Sequence, residues 1–155
     1  PSKLHRCLNQ IQSATDLRNI KSESVDCIFT DPPFGHNLMY SELNFIHEGW
    51  LGIQTNNKDE AIENSSQNTS VSDYTDLMSA SFDEYYRILK PGKWMTVEFS
   101  NTSAAVWNSI QRALTKAGFI ISVVRGLDKK QGSYNAQTTT TAVKQDLVIS
   151  CYKSS

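Results

Sequence analysis

The chain has 155 residues, with 15 Lys and Arg against 16 Asp and Glu for a formal net charge of −1, which is enough for one domain, residues 1–155, with a core of useful size. That balance lacks the basic footprint that usually marks a nucleic-acid binder, although a catalytic domain can be neutral where another part grips the phosphates. No secretory pattern and no long apolar run is present, so membrane insertion is not expected and a reducing, cytoplasmic setting is.

Taken in chain order, residues 7–14 read as a short strand or irregular lead-in. Thr15-Asp16-Leu17 looks like a turn into a short helix, with Asp16 placed to cap it. The β-prone run Val25-Asp26-Cys27-Ile28-Phe29-Thr30 reads as a buried parallel strand. A helix is expected over 41–51, with Leu43, Ile46, His47 and Trp50 on one side. The polar stretch 54–73 contains no proline or glycine and is expected to be a mobile loop near the substrate. Met78, Phe82, Tyr85 and Leu89 fall at helical spacing in a helix over 76–89, where Tyr85 and Tyr86 read as core rather than as a stacking platform.

Lys90-Pro91-Gly92-Lys93 should end that helix and lead into a strand over 94–99. A further helix over 103–117 turns Val106, Ile110, Ala113 and Leu114 inward and stops at Gly118. Strands over 119–124 and 146–152 flank a threonine-rich polar segment, 128–141. The alternation predicts an α/β fold, a mostly parallel sheet with helices on its faces, closed at one edge by an antiparallel pair. Cys7, Cys27 and Cys151 are too scattered for a disulfide framework or zinc site, and the latter two read as small core residues. His5, His36 and His47 lack metal-ligand spacing, so no metal is expected.

Asp31-Pro32-Pro33-Phe34 follows the first strand directly. Ligands in open α/β sheets sit beyond the carboxyl ends of such strands. The two prolines fix φ and donate no N–H, and each biases its predecessor toward extended backbone. The result is a stiff loop whose carbonyls are free to accept. Asp31 adds a carboxylate acceptor, and Phe34 a face on which a base can stack, worth roughly 1–3 kcal/mol in single-strand binders. An exocyclic amine is a poor nucleophile because its lone pair is delocalised. Two acceptors, Asp31 and the Pro32 carbonyl, suit holding both of its hydrogens while it attacks a methyl donor. Positioning and electrostatics then supply most of the rate.

The four residues resemble the (D/N/S)-P-P-(Y/F/W) signature of S-adenosylmethionine-dependent amino-methyltransferases, and the stretch from Ser24 to Gly35 is similar to the N6-adenine and N4-cytosine DNA methyltransferases of restriction–modification type. Tyr40-Ser41-Glu42-Leu43-Asn44-Phe45, Arg87-Ile88-Leu89-Lys90-Pro91-Gly92-Lys93-Trp94 and Ala142-Val143-Lys144-Gln145-Asp146-Leu147-Val148-Ile149-Ser150 extend the likeness. The resemblance implies a Rossmann-like class I methyltransferase sheet and transfer of a methyl group to adenine N6 in DNA. Asp31, Pro32, Pro33 and Phe34 would be the catalytic residues, Asp16, Asp31 and Glu98 the approach to the cofactor, and Phe34, His36, Tyr40 and Lys144 the contacts to substrate. Ser100, Lys129, Lys130 and the loop 131–135 are further candidates for pocket or DNA contact. Cytosine N4, an RNA base or a protein glutamine amide are the other planar amines that similar motifs serve.

One family feature is missing. The seven glycines include no pair separated by a single residue, so the G-x-G turn that lets backbone approach the cofactor is absent. The chain therefore resembles the catalytic half of a permuted enzyme, with an incomplete cofactor site. Its expected partners are DNA and the missing segment or a second subunit, which would also cover the edge of the central strand. A non-catalytic domain that keeps the fold and binds nucleic acid or a partner subunit is the alternative.

Overall fold

The computed structural model describes residues 10, 12–35, 39–54, 56–57, 60–63, 68–100, 104–127 and 146–155. Four strands and three helices follow in the order β1 (Val25–Thr30), α1 (Tyr40–Leu51), α2 (Val71–Ile88), β2 (Leu89–Phe99), α3 (Ala104–Ala117), β3 (Ile120–Leu127) and β4 (Asp146–Tyr152). The sheet order is β1-β2-β4-β3. β1 and β2 are parallel, while β4 runs antiparallel to both β2 and β3. Three strands thus share one direction, and the expected antiparallel pair closes one edge, with the reversed strand on its inner side.

Local chemistry explains the element boundaries. α2 begins five residues before its expected start because Ser70 and Asp73 form a capping box. The Ser70 hydroxyl accepts from the Asp73 amide at 3.3 Å, and the Asp73 carboxylate accepts from the Ser70 amide at 2.8 Å. Two of the helix's orphan donors are thereby satisfied. Lys90-Pro91-Gly92-Lys93 does not separate helix from strand. It bulges within β2, since Val25 pairs with Leu89 but Cys27 already pairs with Trp94. Gly118 sits at φ +104°, and a Cβ there would lie 2.9 Å from the Tyr86 ring, so only glycine fits this stop.

The short helix expected after Leu17 is not formed; residues 14–20 are turns. The carbonyls such a helix would use are taken by Arg87, whose guanidinium donates to Leu17 O at 2.8 Å and Ile20 O at 3.0 Å. Glu84 completes this clamp, pairing with Arg87 and accepting from the Leu17 amide at 2.7 Å. These bonds, the one from Arg87 foremost, hold the Glu84 carboxyl below its ordinary 4.5. A lowered carboxyl stabilises the fold above its unfolded value, and that contribution is lost as pH falls through the folded value. Thermal melting should therefore drop more steeply below pH 4.5 in the wild type than in Glu84→Gln, which should be less stable near neutrality.

Helices α2 and α3 cover one face of the sheet. Tyr74, Met78 and Phe82 from α2 meet Met95, Val97 and Phe99 of β2, Ile149 and Cys151 of β4, and Val106, Ile110 and Leu114 of α3. Burial pushes the Cys151 thiol up to about 12, leaving it an inert core residue. Lys153, also buried, satisfies its ammonium with Glu23 and the carbonyls of Tyr86 and Leu89.

Among the described residues no helix covers the opposite face, which corrects two expectations. Directly paired residues share a face, and the register places Cys27, Phe29, Trp94, Thr96, Ser150, Tyr152, Ile120 and Val123 together on the side away from the core. Ile28 is buried as expected, but Phe29 is 68% exposed and Cys27 is exposed rather than core. On α1, Leu43, Ile46, His47 and Trp50 are likewise exposed, Trp50 by 88%. Glu48 is the one buried residue of that helix. The outer edge of β1 carries no strand among the described residues, and no described helix is long and apolar enough to cross a membrane.

Candidate active site

Asp31-Pro32-Pro33-Phe34 leaves β1 at its carboxyl end, beside the carboxyl end of the parallel β2. Asp31 is exposed, Pro32 buried and Phe34 half-buried. The Phe34 ring stands edge-on to Phe99 with centroids 5.8 Å apart, and Phe99 in turn stacks on Trp107 at 6.3 Å. The aromatic residue of the motif is thus braced by the core.

Three further anchors hold the loop. The Tyr74 hydroxyl donates to Pro33 O at 2.8 Å. Gly35, at φ +87°, bridges to the fully buried Ile62, and the Glu63 amide donates to Gly35 O at 3.2 Å. Glu60 caps the start of α1, accepting from the Ser41 amide at 2.9 Å and hydroxyl at 2.7 Å. Residues 60–63 therefore form a fixed wall. Within the polar stretch 54–73, expected to be a mobile loop near the substrate, residues 60–63 lie beside the motif and are held by backbone bonds and one apolar anchor.

A cleft of about 240 Å³ opens against the motif. Thr30 to Pro33 form one side, Leu77, Met78, Ser81 and Tyr85 of α2 another, and Ser13 to Thr15 with Ala61 the remainder. Tyr40 joins the motif. Its phenol is raised above the ordinary 10.0, first by burial and then by the Asp31 carboxylate, against a hydrogen bond from the Phe34 amide.

Other sequence candidates lie elsewhere. Asp16 does not line the cleft; it is exposed and paired with Arg18 at 2.6 Å, whose hydrogen bond holds its carboxyl below the ordinary 3.8. Its neighbours Ser13 to Thr15 reach the cleft instead. Glu98 lies near the carboxyl end of β2 opposite Val148, on the face away from the core and not among the cleft residues. Ser100 follows β2 directly and does not line the cleft either. His36, Lys129, Lys130, the loop 131–135 and Lys144 are outside the described residues. Tyr74, Glu60 and Ile62 were missed by the sequence reading. The Ser70-x-x-Asp73 capping box was the available signal, since it starts α2 early enough to carry Tyr74 to Pro33.

Residues 25–155 match the model of the N6/N4 DNA methylase family. The chain belongs to that family. The methylase motif at Asp31 thus sits where this fold presents its ligands. Among solved structures, TTHA0409 of Thermus thermophilus, assigned as a DNA modification methylase and complexed with S-adenosyl-L-methionine, is 15% identical. The match covers 94% of this chain and 54% of that one, with a TM-score of 0.55. The PvuII DNA methyltransferase, cytosine-N4-specific, is 14% identical over 93% of this chain and 48% of its own, with a TM-score of 0.60. These likenesses establish a class I methyltransferase fold. This family member spans about half the length of the structures it matches. No curated protein matches it in sequence.

Proposed function

We propose that this chain is the catalytic half of an S-adenosylmethionine-dependent methyltransferase acting on the N6 amine of adenine in DNA. The observation that carries this reading is Asp31-Pro32-Pro33-Phe34, anchored at the carboxyl end of β1 and opening on a cleft, in a chain of the N6/N4 methylase family. The cleft's chemistry suits part of the cofactor, with hydroxyls of Ser13, Thr15 and Ser81 beside apolar Pro32 and Met78. Its size is below the ~300–1,000 Å³ of pockets that enclose a whole small ligand, so the remaining wall comes from elsewhere. When bound, the cofactor supplies an electrophilic methyl group. Asp31 and the Pro32 carbonyl would accept the two N–H groups of an extruded base and Phe34 would stack on it; as the C–N bond forms, the S–CH3 bond would break to leave a neutral thioether, and the proton made acidic on the amine would pass to water.

The same reading assigns DNA as substrate and a further segment or second subunit as partner. Support for the latter is that, among the described residues, the β1 edge is unpaired, an unusual exposure for a parallel pair, and that the apolar residues of one sheet face and of α1 are exposed. The test is transfer of labelled methyl from S-adenosylmethionine to duplex DNA, with the products separated as nucleosides. Label in N6-methyladenine is the expected result. Label in N4-methylcytosine would reassign the base. A folded chain that transfers none, alone or with the segment that completes its sheet, would sink the catalytic reading in favour of a non-catalytic domain.

A further inference from the structure

We propose that Tyr74 holds the Pro33–Phe34 peptide unit by its carbonyl, and is the positioning residue that leaves the Pro32 carbonyl as the acceptor for a substrate amine. The proposal rests on the amino-methyltransferase reading above and assigns how that site selects its ligand. Two consecutive prolines offer two consecutive carbonyls and no N–H between them, so for the Pro32 carbonyl to be the acceptor the Pro33 carbonyl has to be engaged elsewhere.

The geometry decides it. Tyr74 is fully buried, and its hydroxyl donates to Pro33 O at 2.8 Å. That carbonyl is turned toward α2 and occupied. The Pro33–Phe34 bond is trans, as are all described peptide bonds, so the Phe34 N–H points the opposite way in the same plane. One peptide plane is thus held at its carbonyl end by a buried tyrosine hydroxyl. With that plane fixed, the Phe34 ring is held against Phe99. Pro32 precedes a proline and is restricted to extended backbone, where successive carbonyls point in different directions, so its carbonyl is directed away from Tyr74.

The capping box at Ser70 and Asp73 sets this arrangement, because it starts α2 in time to place Tyr74 in the helix's first turn. Burial raises the Tyr74 phenol above its ordinary 10.0, so it remains a donor throughout the working pH range.

The test compares wild type, Tyr74→Phe and the core control Phe82→Leu by NMR titration with adenosine and with purine riboside, which lacks the amine. Wild type should favour adenosine by about tenfold, roughly one hydrogen bond's worth. Tyr74→Phe should lose most of that preference and shift the Pro33 carbonyl ¹³C resonance. Phe82→Leu should lower the melting temperature yet keep the preference, which separates positioning from general loosening. Retained preference in Tyr74→Phe, or an unmoved Pro33 resonance, overturns the clamp alone. No amine preference in the wild type overturns the amino-methyltransferase reading and the selection role with it.

Discussion

Replacing Asp31 by alanine is expected to lower methyl transfer by roughly 10²–10³-fold, the scale of removing one preorganised polar group from a reacting centre, with little change in melting temperature. Asp31 is exposed beyond the end of β1, so its loss opens no cavity in the core. In the proposed reaction it accepts from the amine and stabilises the positive charge that develops on nitrogen as the methyl arrives. Asp31→Asn keeps an acceptor but not the charge, and should fall between wild type and alanine. Initial rates on adenine-containing duplex, paired with thermal melts, check both statements. Full activity in Asp31→Ala within an otherwise active assembly would remove the residue from the mechanism.

Phe99→Ala should destabilise the fold by about 3–5 kcal/mol, the usual range for deleting a buried aromatic ring. That is a large share of the ~5–15 kcal/mol that holds a domain together. The ring is 1% exposed and lies between Phe34 and Trp107. Its removal leaves a void in the core and takes the brace from the motif's aromatic residue. Phe99→Leu should cost less stability but still loosen Phe34, so stacking with a base should weaken in a variant that remains folded. The denaturant midpoint at unchanged slope reports the first effect, and base binding by the leucine variant the second.

The contrast between these two residues reflects what was legible in the chain. Asp31 was readable because its identity is chemical. A carboxylate, two prolines and an aromatic after an apolar β-run carry their meaning in four consecutive positions. The inward residues of α3 and Met78 and Phe82 of α2 were readable because helical spacing repeats on a scale the sequence displays, whereas Leu89, expected at the end of that helix, opens β2. The N-terminal turns were not, since what prevents a helix there is Arg87, some seventy positions away. Tyr74 was missed because the polar segment before it hid a capping box in which aspartate stands three residues after Ser70.

The exposure of Phe29, Cys27 and the apolar side of α1 could not be read either. Hydrophobic pattern specifies that a side chain has apolar character; it does not specify whether another layer is present to cover it. By itself the sequence determined the α/β class, the strand that ends at Asp31 and the type of chemistry the motif suits, because each depends on local backbone preference and residue type. Tertiary structure alone decided which face of the sheet is covered, which residues line the cleft and how the Pro33–Phe34 peptide is held. Those depend on groups far apart in the chain arriving within hydrogen-bond or van der Waals distance.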